Sequence, residues 1–328
     1  MKTKDYKKLD DDGIVVILDA NIRRSVGYYD SQISRERKKA VDYYNATLPK
    51  KAHDGNSSYV SMDVYDAVES MKAQLLETFA AGNKTVRFSP QNGDDVQMAE
   101  VCTEYTDYVA HRQNDLYKVM SDAIHDGLIA RAGIVRVYWK EQTESHLEYV
   151  EDLTEDELDA VLAFLIEPQA KGDLADVLFC AHRSTKTITE LRQMGYDEDK
   201  IDEIGDHEDT EMETDPELLA RHEEVGSDRG FGAAGYQDQV RAVTCYECFM
   251  MLDVEATGEA ELYRLVKAGN VLLEKEKVSR KPFVVFTPLP IPHSFWGNNF
   301  ASKVVPIQNA RTVLTRSILD HAMITNNP

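Results

Sequence analysis

Apolar residues return every three or four positions along residues 61–81, at Val64, Val68, Met71, Leu75 and Phe79. That spacing turns one side of a helix toward a core, and Gly82 stands where such a helix stops. Residues 94–113 and 114–129 read as two further helices, each opened by a residue whose side chain caps a helix start. Gly133 marks a change of period, because residues 134–138 alternate β-branched side chains with Arg136, as a strand does. Upstream, residues 31–45 form a helix candidate with a basic cluster of Arg35, Arg37, Lys38 and Lys39. Residues 1–30 are mixed and read as an extended arm. Downstream, residues 239–253 read as a strand, 262–267 and 271–275 as a hairpin across Gly269-Asn270, and 283–286 as a short strand. Residues 304–325 form the last helix, roughly 33 Å long at 1.5 Å per residue. Ile307, Ala310, Leu314, Ile318 and Met323 fall near one stripe of it. The intervening residues 151–228 read as short acidic helices and loops, and no internal repeat is visible.

These elements predict an α+β fold. The chain has 328 residues, with 42% hydrophobic and 29% charged positions. That is enough for one large or two ordinary domains. No apolar run approaches a bilayer-spanning length, and the polar start lacks the apolar region of a signal peptide, so a protein that stays in the cytosol where it is made is expected. Four cysteines, Cys102, Cys180, Cys245 and Cys248, do not suggest a disulfide framework. The formal charge of −21 looks hostile to DNA, but it is unevenly distributed. Residues 151–228 hold 25 acidic and 6 basic side chains, whereas the remainder is near balance with 33 and 31. The acidity belongs to one region, a solvated flank or partner-facing loop. No basic stripe grips phosphates, which excludes tight sequence-specific DNA binding.

Candidate chemistry is sparse. Cys245-Tyr-Glu-Cys248 has the CxxC spacing of a metal or redox pair, but no second pair supplies the remaining ligands. On a strand, positions i and i+3 point to opposite faces, so the two thiols pack in a core instead. Gly230-Phe-Gly-Ala-Ala-Gly235 matches GxGxxG without the preceding strand and following helix that a dinucleotide site needs. It reads as a linker. Asp253-Val-Glu-Ala-Thr-Gly258 begins like a calcium loop, yet Arg264 stands where a bidentate Glu belongs, and a turn between strands is expected. The acidic clusters at 197–199 and 208–211 read as solvated faces, the histidines form no HExxH, and no GxSxG or GxxxxGK[ST] occurs. An enzyme, and a P-loop ATPase in particular, is not expected, and neither a cofactor nor a metal is called for.

The segment Pro282-Phe-Val-Val-Phe-Thr-Pro-Leu-Pro-Ile-Pro-His-Ser-Phe-Trp-Gly297, then Lys303-Val-Val-Pro-Ile-Gln-Asn-Ala-Arg311 and a terminal Asn-Asn-Pro328, carries a more specific signal. Its order is strand, Pro-x-Pro-x-Pro-His, aromatic-Gly, then a helix with Pro306 in its first turn and an early Gln308. It resembles the portal proteins of tailed bacteriophages, most closely those of short-tailed phages of the P22-like group. Four further blocks fit the same family: residues 61–79, the short strand 86–90, the helix-then-strand step 126–139, and 181–187 with 191–197, matched as a helix. The chain departs from its relatives near residues 154–171, and it stops where they continue into a clip, a returning stem helix and a crown.

The resemblance implies a ring-forming portal fold. Residues 1–60 would be an N-terminal arm and helix, and 61–300 a helix-rich wing and hip with β-strands. That region would hold an acidic insertion at about 151–228 and a linker at 229–238, with residues 301–328 starting the stem helix. It further implies a homo-oligomer, dodecameric in mature particles, at one capsid vertex of the virion. Double-stranded DNA would pass through it non-specifically during packaging and ejection. The implied partners are the major capsid protein and scaffold, the terminase large subunit, and then the head-tail adaptor and tail, with no membrane. The alternative is another ring-forming head-tail connector or capsid-associated structural protein. Lys303, Arg311 and Arg316, on the stem helix, are the candidates for facing the DNA channel or an adjacent subunit.

Overall fold

The strand at Ala242–Leu252 is apolar on both sides: Val243, Cys245 and Phe249 alternate with Tyr246 and Cys248, and all are buried. A strand of that kind needs cover on both faces. The computed structural model describes residues 8–28, 33–50, 56–80, 86–138, 164–171, 173–204 and 242–326. The chain folds into two compact units, Met1–Lys38 with Arg136–Phe283 and Pro292–Phe295, and Lys39–Val135 with Val284–Ile291 and Trp296–Pro328.

The first unit is built on a five-stranded antiparallel sheet. In chain order the strands are β2 (Phe164–Ile166), β3 (Phe179–Thr187), β4 (Ala242–Leu252), β5 (Glu261–Ala268) and β6 (Val271–Lys277), and they lie side by side in that order. The β5–β6 hairpin turns at Gly269 and Asn270, as expected, with Gly269 at φ +55° and a register irregularity at Val266/Lys267.

One face of this sheet is covered by α1 (Asp11–Tyr28), which packs over β2 and β6. Residues 1–30 are therefore not an extended arm where the structure describes them. Ile14, Leu18 and Ile22 are spaced by four and buried, and Asp11 and Asp12 favour the positive end of the helix dipole. Exposed Val16 and the flanking charges blur that period when the sequence is read alone. Buried Lys267 pairs with Asp19 of α1, and Lys275 reaches Asp11 at 2.9 Å.

The opposite face carries α6 (Ile188–Gln193) and α7 (Glu198–Asp202). Ile188, Leu191, Ile201 and Ile204 pack there against Val243, Cys245, Val266 and Ala268. Thr187 and Glu190 form a capping box that starts α6 directly after β3.

The block at 181–187, matched as a helix by resemblance, is thus strand, and the stretch 151–228 supplies two of the five strands instead of helices and loops alone. In this case sheet pairing overrode a weak local pattern. The acidic helix expected at 154–163 and the GxGxxG linker at 230–235 lie outside the described residues.

Cys245 and Cys248 fall on opposite faces of β4, as strand alternation requires. Burial pushes the Cys180 thiol up to about 12 and raises Cys248 further, so both stay protonated and behave as small apolar groups. The Asp253 loop is a turn: its carboxylate accepts from the N–H groups of Thr257 at 2.9 Å and Gly258 at 2.7 Å, so its oxygens are engaged by the main chain.

The polar centre of the sheet is Glu247, buried on β4. It accepts from Arg136 at 2.7 Å and from Arg264 at 2.6 Å, and Arg264 also meets Glu274 at 3.0 Å and Glu276 at 3.3 Å. Arg136 lies over the Tyr138 ring, 4.8 Å from its centroid. Removing one member of a buried ion network strands the others, which costs about 3 kcal/mol or more. Glu247→Ala is expected to lose that much in denaturant unfolding. Glu247→Gln, which keeps an acceptor, should lose clearly less.

The second unit is helical. It packs α3 (Asp63–Ala80), α5 (Leu116–Ala130) and α8 (Phe300–Asn326) together, with part of α2 (Arg35–Tyr44) alongside and α4 (Val96–Tyr108) more loosely attached. Val64 and Val68 of α3 meet Ile124 and Leu128 of α5, Ala40 and Tyr43 of α2, and Ala301 of α8. Phe79, expected on the inner face of α3, is exposed, and Leu76 is buried in its stead. The strands β1 (Gly133–Arg136) and β7 (Phe283–Phe286) pair as a two-stranded sheet. A Cβ on Gly133 would sit 1.9 Å from the Ala123 carbonyl oxygen, so only glycine admits that approach.

The candidate stem helix and its anchor

Helix α8 begins at Phe300, four residues before the expected start, and its 27 residues span about 40 Å. The earlier start is built by Asn299, whose carboxamide oxygen accepts from the Ser302 N–H at 3.2 Å as an N-cap while its amide donates to the Ile129 carbonyl. Pro306 consequently lies inside the helix and not in its first turn, where it removes one i→i−4 bond. Gly297, just upstream, serves close approach: a Cβ there would meet Thr287 Cγ2 at 2.4 Å and the Leu289 oxygen at 2.7 Å.

A row of polar side chains at four-residue steps fastens α8 to its own unit. Gln308 is fully buried; its Oε1 accepts from the Val64 N–H at 2.9 Å, at the start of α3, and its Nε2 donates to the carbonyls of Tyr43 at 3.0 Å and Leu48 at 3.4 Å. One turn on, buried Thr312 accepts from the Ser61 N–H at 3.1 Å. Next, Arg316 donates to three carbonyls, Tyr59 at 2.6 Å, Lys50 at 3.0 Å and Pro49 at 2.7 Å. Finally, Asp320 accepts from the Ser57 N–H at 2.6 Å. Residues i and i+4 share a helix face, so these four form one line reading main-chain groups of residues 43–50 and 57–64.

The opposite side of α8 is apolar and open. Ile307, Leu314 and Ile318 fall within about 40° of one another around the axis, and each is more than half exposed. Ala310 lies beside them, whereas Met323, placed in the same stripe from sequence, projects toward another side.

The three basic candidates do not form one row. Helical geometry sets Arg316 about 140° from both Lys303 and Arg311. Arg316 is spent on the anchor, Arg311 pairs with Asp63 in the first turn of α3, and Lys303 is exposed. Sequence reasoning missed Gln308, Thr312 and Asp320 as an anchor. The signal in the sequence is their regular four-residue spacing with Arg316, which sets all four on one face of the helix.

Truncating Gln308 removes the partner of the Val64 N–H and of the part-buried Leu48 carbonyl and leaves the Tyr43 carbonyl with the Ala46 N–H alone, at roughly 1–3 kcal/mol for each group left dry. Gln308→Ala is therefore expected to destabilise the protein by several kcal/mol in denaturant unfolding. Arg316→Ala should cost less, about 1–2 kcal/mol. Arg316→Lys should not restore it, since a single ammonium cannot span three carbonyls as a planar guanidinium does.

No helix among the described residues is long and apolar enough to cross a membrane. No curated protein matches the chain. Comparison with known families matches residues 14–163 and 160–328 to the phage SU10 portal protein family. The match supports the portal class and does not single out the P22-like group. With nearly its whole length covered, the chain belongs to the phage SU10 portal protein family.

Proposed function

We propose that copies of this chain form a closed ring at one vertex of the capsid, that the ring is a dodecamer, and that double-stranded DNA passes through it during packaging and ejection. A phage portal role and a place at the capsid vertex of the virion follow from family membership. The ring is supported by one observation above the rest, the open row of Ile307, Leu314 and Ile318 on α8. A monomer would leave this stripe in water, and neighbouring copies arranged around an axis would cover it repeatedly. Residues 301–328 then start the stem, and residues 61–300 contribute the wing and hip.

The role is structural, with passage governed by shape and charge. A lumen that bound phosphates strongly would impede movement in both directions. Lys303 and Arg311, flanking the open row, are the stem cations placed to meet DNA or an adjacent copy, while Arg316 acts by holding the stem in position. The acidic surplus of residues 151–228 belongs on the outer surface, where salt screens repulsion between copies. Terminase, the capsid and scaffold, and the head-tail adaptor would dock on the ring in turn.

Light scattering on the full-length protein at micromolar concentration tests the ring. A mass of many subunits is expected, and Ile307→Ser/Leu314→Ser/Ile318→Ser should reduce it to the monomer; a monomeric parent protein would overturn the reading. Lys303→Gln/Arg311→Gln should leave rings visible in particle images while changing DNA packaging or retention. Loss of rings would assign both residues to contacts between subunits.

A further inference from the structure

The guanidinium of Arg311 is engaged and exposed at once. Its Nη1 donates to Asp63 Oδ1 in the first turn of α3, yet its side chain stays 63% exposed while that of Asp63 is only 10% exposed. The carboxylate is held independently of the arginine. Its Oδ2 accepts from the Ser61 hydroxyl at 2.6 Å, and the first turn of a helix favours a negative charge. The anchor brackets the pair. Gln308 and Thr312, either side of Arg311 in sequence, accept from the N–H groups of Val64 and Ser61, either side of Asp63. The buried hydrogen bonds that set the register of α8 therefore also bring Arg311 to Asp63.

Lys303 differs: it is exposed and makes no ion pair among the described residues. Lys303 and Arg311 lie about 80° apart around the helix axis, with Leu314, Ile307 and Ile318 between them. The two edges of the open row thus present unequal charge, a free ammonium on one side and a guanidinium neutralised by its neighbour on the other. Carboxylate and phosphate compete for the same planar guanidinium, since both match its fork of donors. A phosphate that took Arg311 would leave a nearly buried carboxylate without its counter-charge, and would itself stand close to that carboxylate.

We infer that Asp63 masks Arg311 from DNA, so that of the two cations flanking the open row only Lys303 is available to phosphates. This rests on the reading that the stem cations meet DNA. Asp63 acts through Arg311 and need not touch DNA itself. Each phosphate neutralised strengthens binding and steepens its dependence on salt, so a masked arginine weakens the grip of a stem along which DNA must slide.

The probe is a fluorescein-labelled DNA duplex of arbitrary sequence, read by anisotropy on the full chain from about 0.05 M salt upward. Asp63→Asn, which keeps an acceptor for the Ser61 hydroxyl, should tighten binding about threefold or more and steepen its fall with salt. The gain should vanish in Asp63→Asn/Arg311→Gln. Asp66→Asn, the same change of charge at an exposed position one turn along α3, should alter binding less than about twofold. In the parent background Lys303→Gln should weaken binding more than Arg311→Gln does, which tests the masking even if Asp63→Asn folds poorly. No gain in Asp63→Asn, a gain that persists without Arg311, or one that Asp66→Asn matches would overturn the masking and leave the DNA contact standing. So would Arg311→Gln weakening binding as much as Lys303→Gln. Absence of duplex binding by the parent protein and Asp63→Asn alike would overturn the DNA-facing reading itself, and the masking with it.

Discussion

The second unit depends on a constraint at Gln308. Two carbonyls from the end of α2 and the loop after it, together with the N–H of Val64 at the start of α3, converge on one buried position, and a single carboxamide answers all three. A carboxamide has its acceptor and donors on fixed sides, so it accepts only one register of α8 against the chain it reads. Thr312, Arg316 and Asp320 extend the same logic along the helix. Hydrophobic packing tolerates small slides, whereas directed hydrogen bonds to main chain do not.

This division of labour frees the rest of the helix. Phe300, Ala301, Val304 and Val305 pack α8 into the core near its start, and polar groups hold it further along, so the exposed Ile307, Leu314 and Ile318 are not used for packing within one chain. They remain exposed in the single chain, where the ring we propose would seat a neighbouring copy. The same separation explains why three basic residues close in sequence do different work: Arg316 sits on the anchoring line, and Lys303 and Arg311 stand near the open row.

The first unit solves a different problem. Its central strand is apolar on both faces, yet it carries Glu247 at mid-length. Two arginines reach that carboxylate from β1 and β5, and two more carboxylates on β6 balance Arg264. A buried charge left without such partners would shift the strand or gain a proton. Here the network ties four strands, β1, β4, β5 and β6, to one another, and the buried Cys180 and Cys248 thiols serve as inert packing.

Much was legible without coordinates. The periodicity of residues 61–81, the cap before α5, the Gly269-Asn270 hairpin and the proline-rich approach to α8 are local signals, because helix period, capping and turn chemistry act between near neighbours. The split of the CxxC thiols between two faces was legible for the same reason, since strand alternation is itself local. What only the tertiary structure decided involves partners far apart in sequence. Strand β3 looked helical until β2 and β4 paired with it. Helix α1 was hidden until a sheet buried Ile14, Leu18 and Ile22. The start of α8 was set by Asn299 reaching Ile129, and the anchoring contacts of Arg316 depend on the carbonyls of Pro49, Lys50 and Tyr59, which come to lie beside it only in the folded chain. Burial and main-chain hydrogen bonding across such separations depend on where the chain returns, and side-chain spacing along one element carries no record of that.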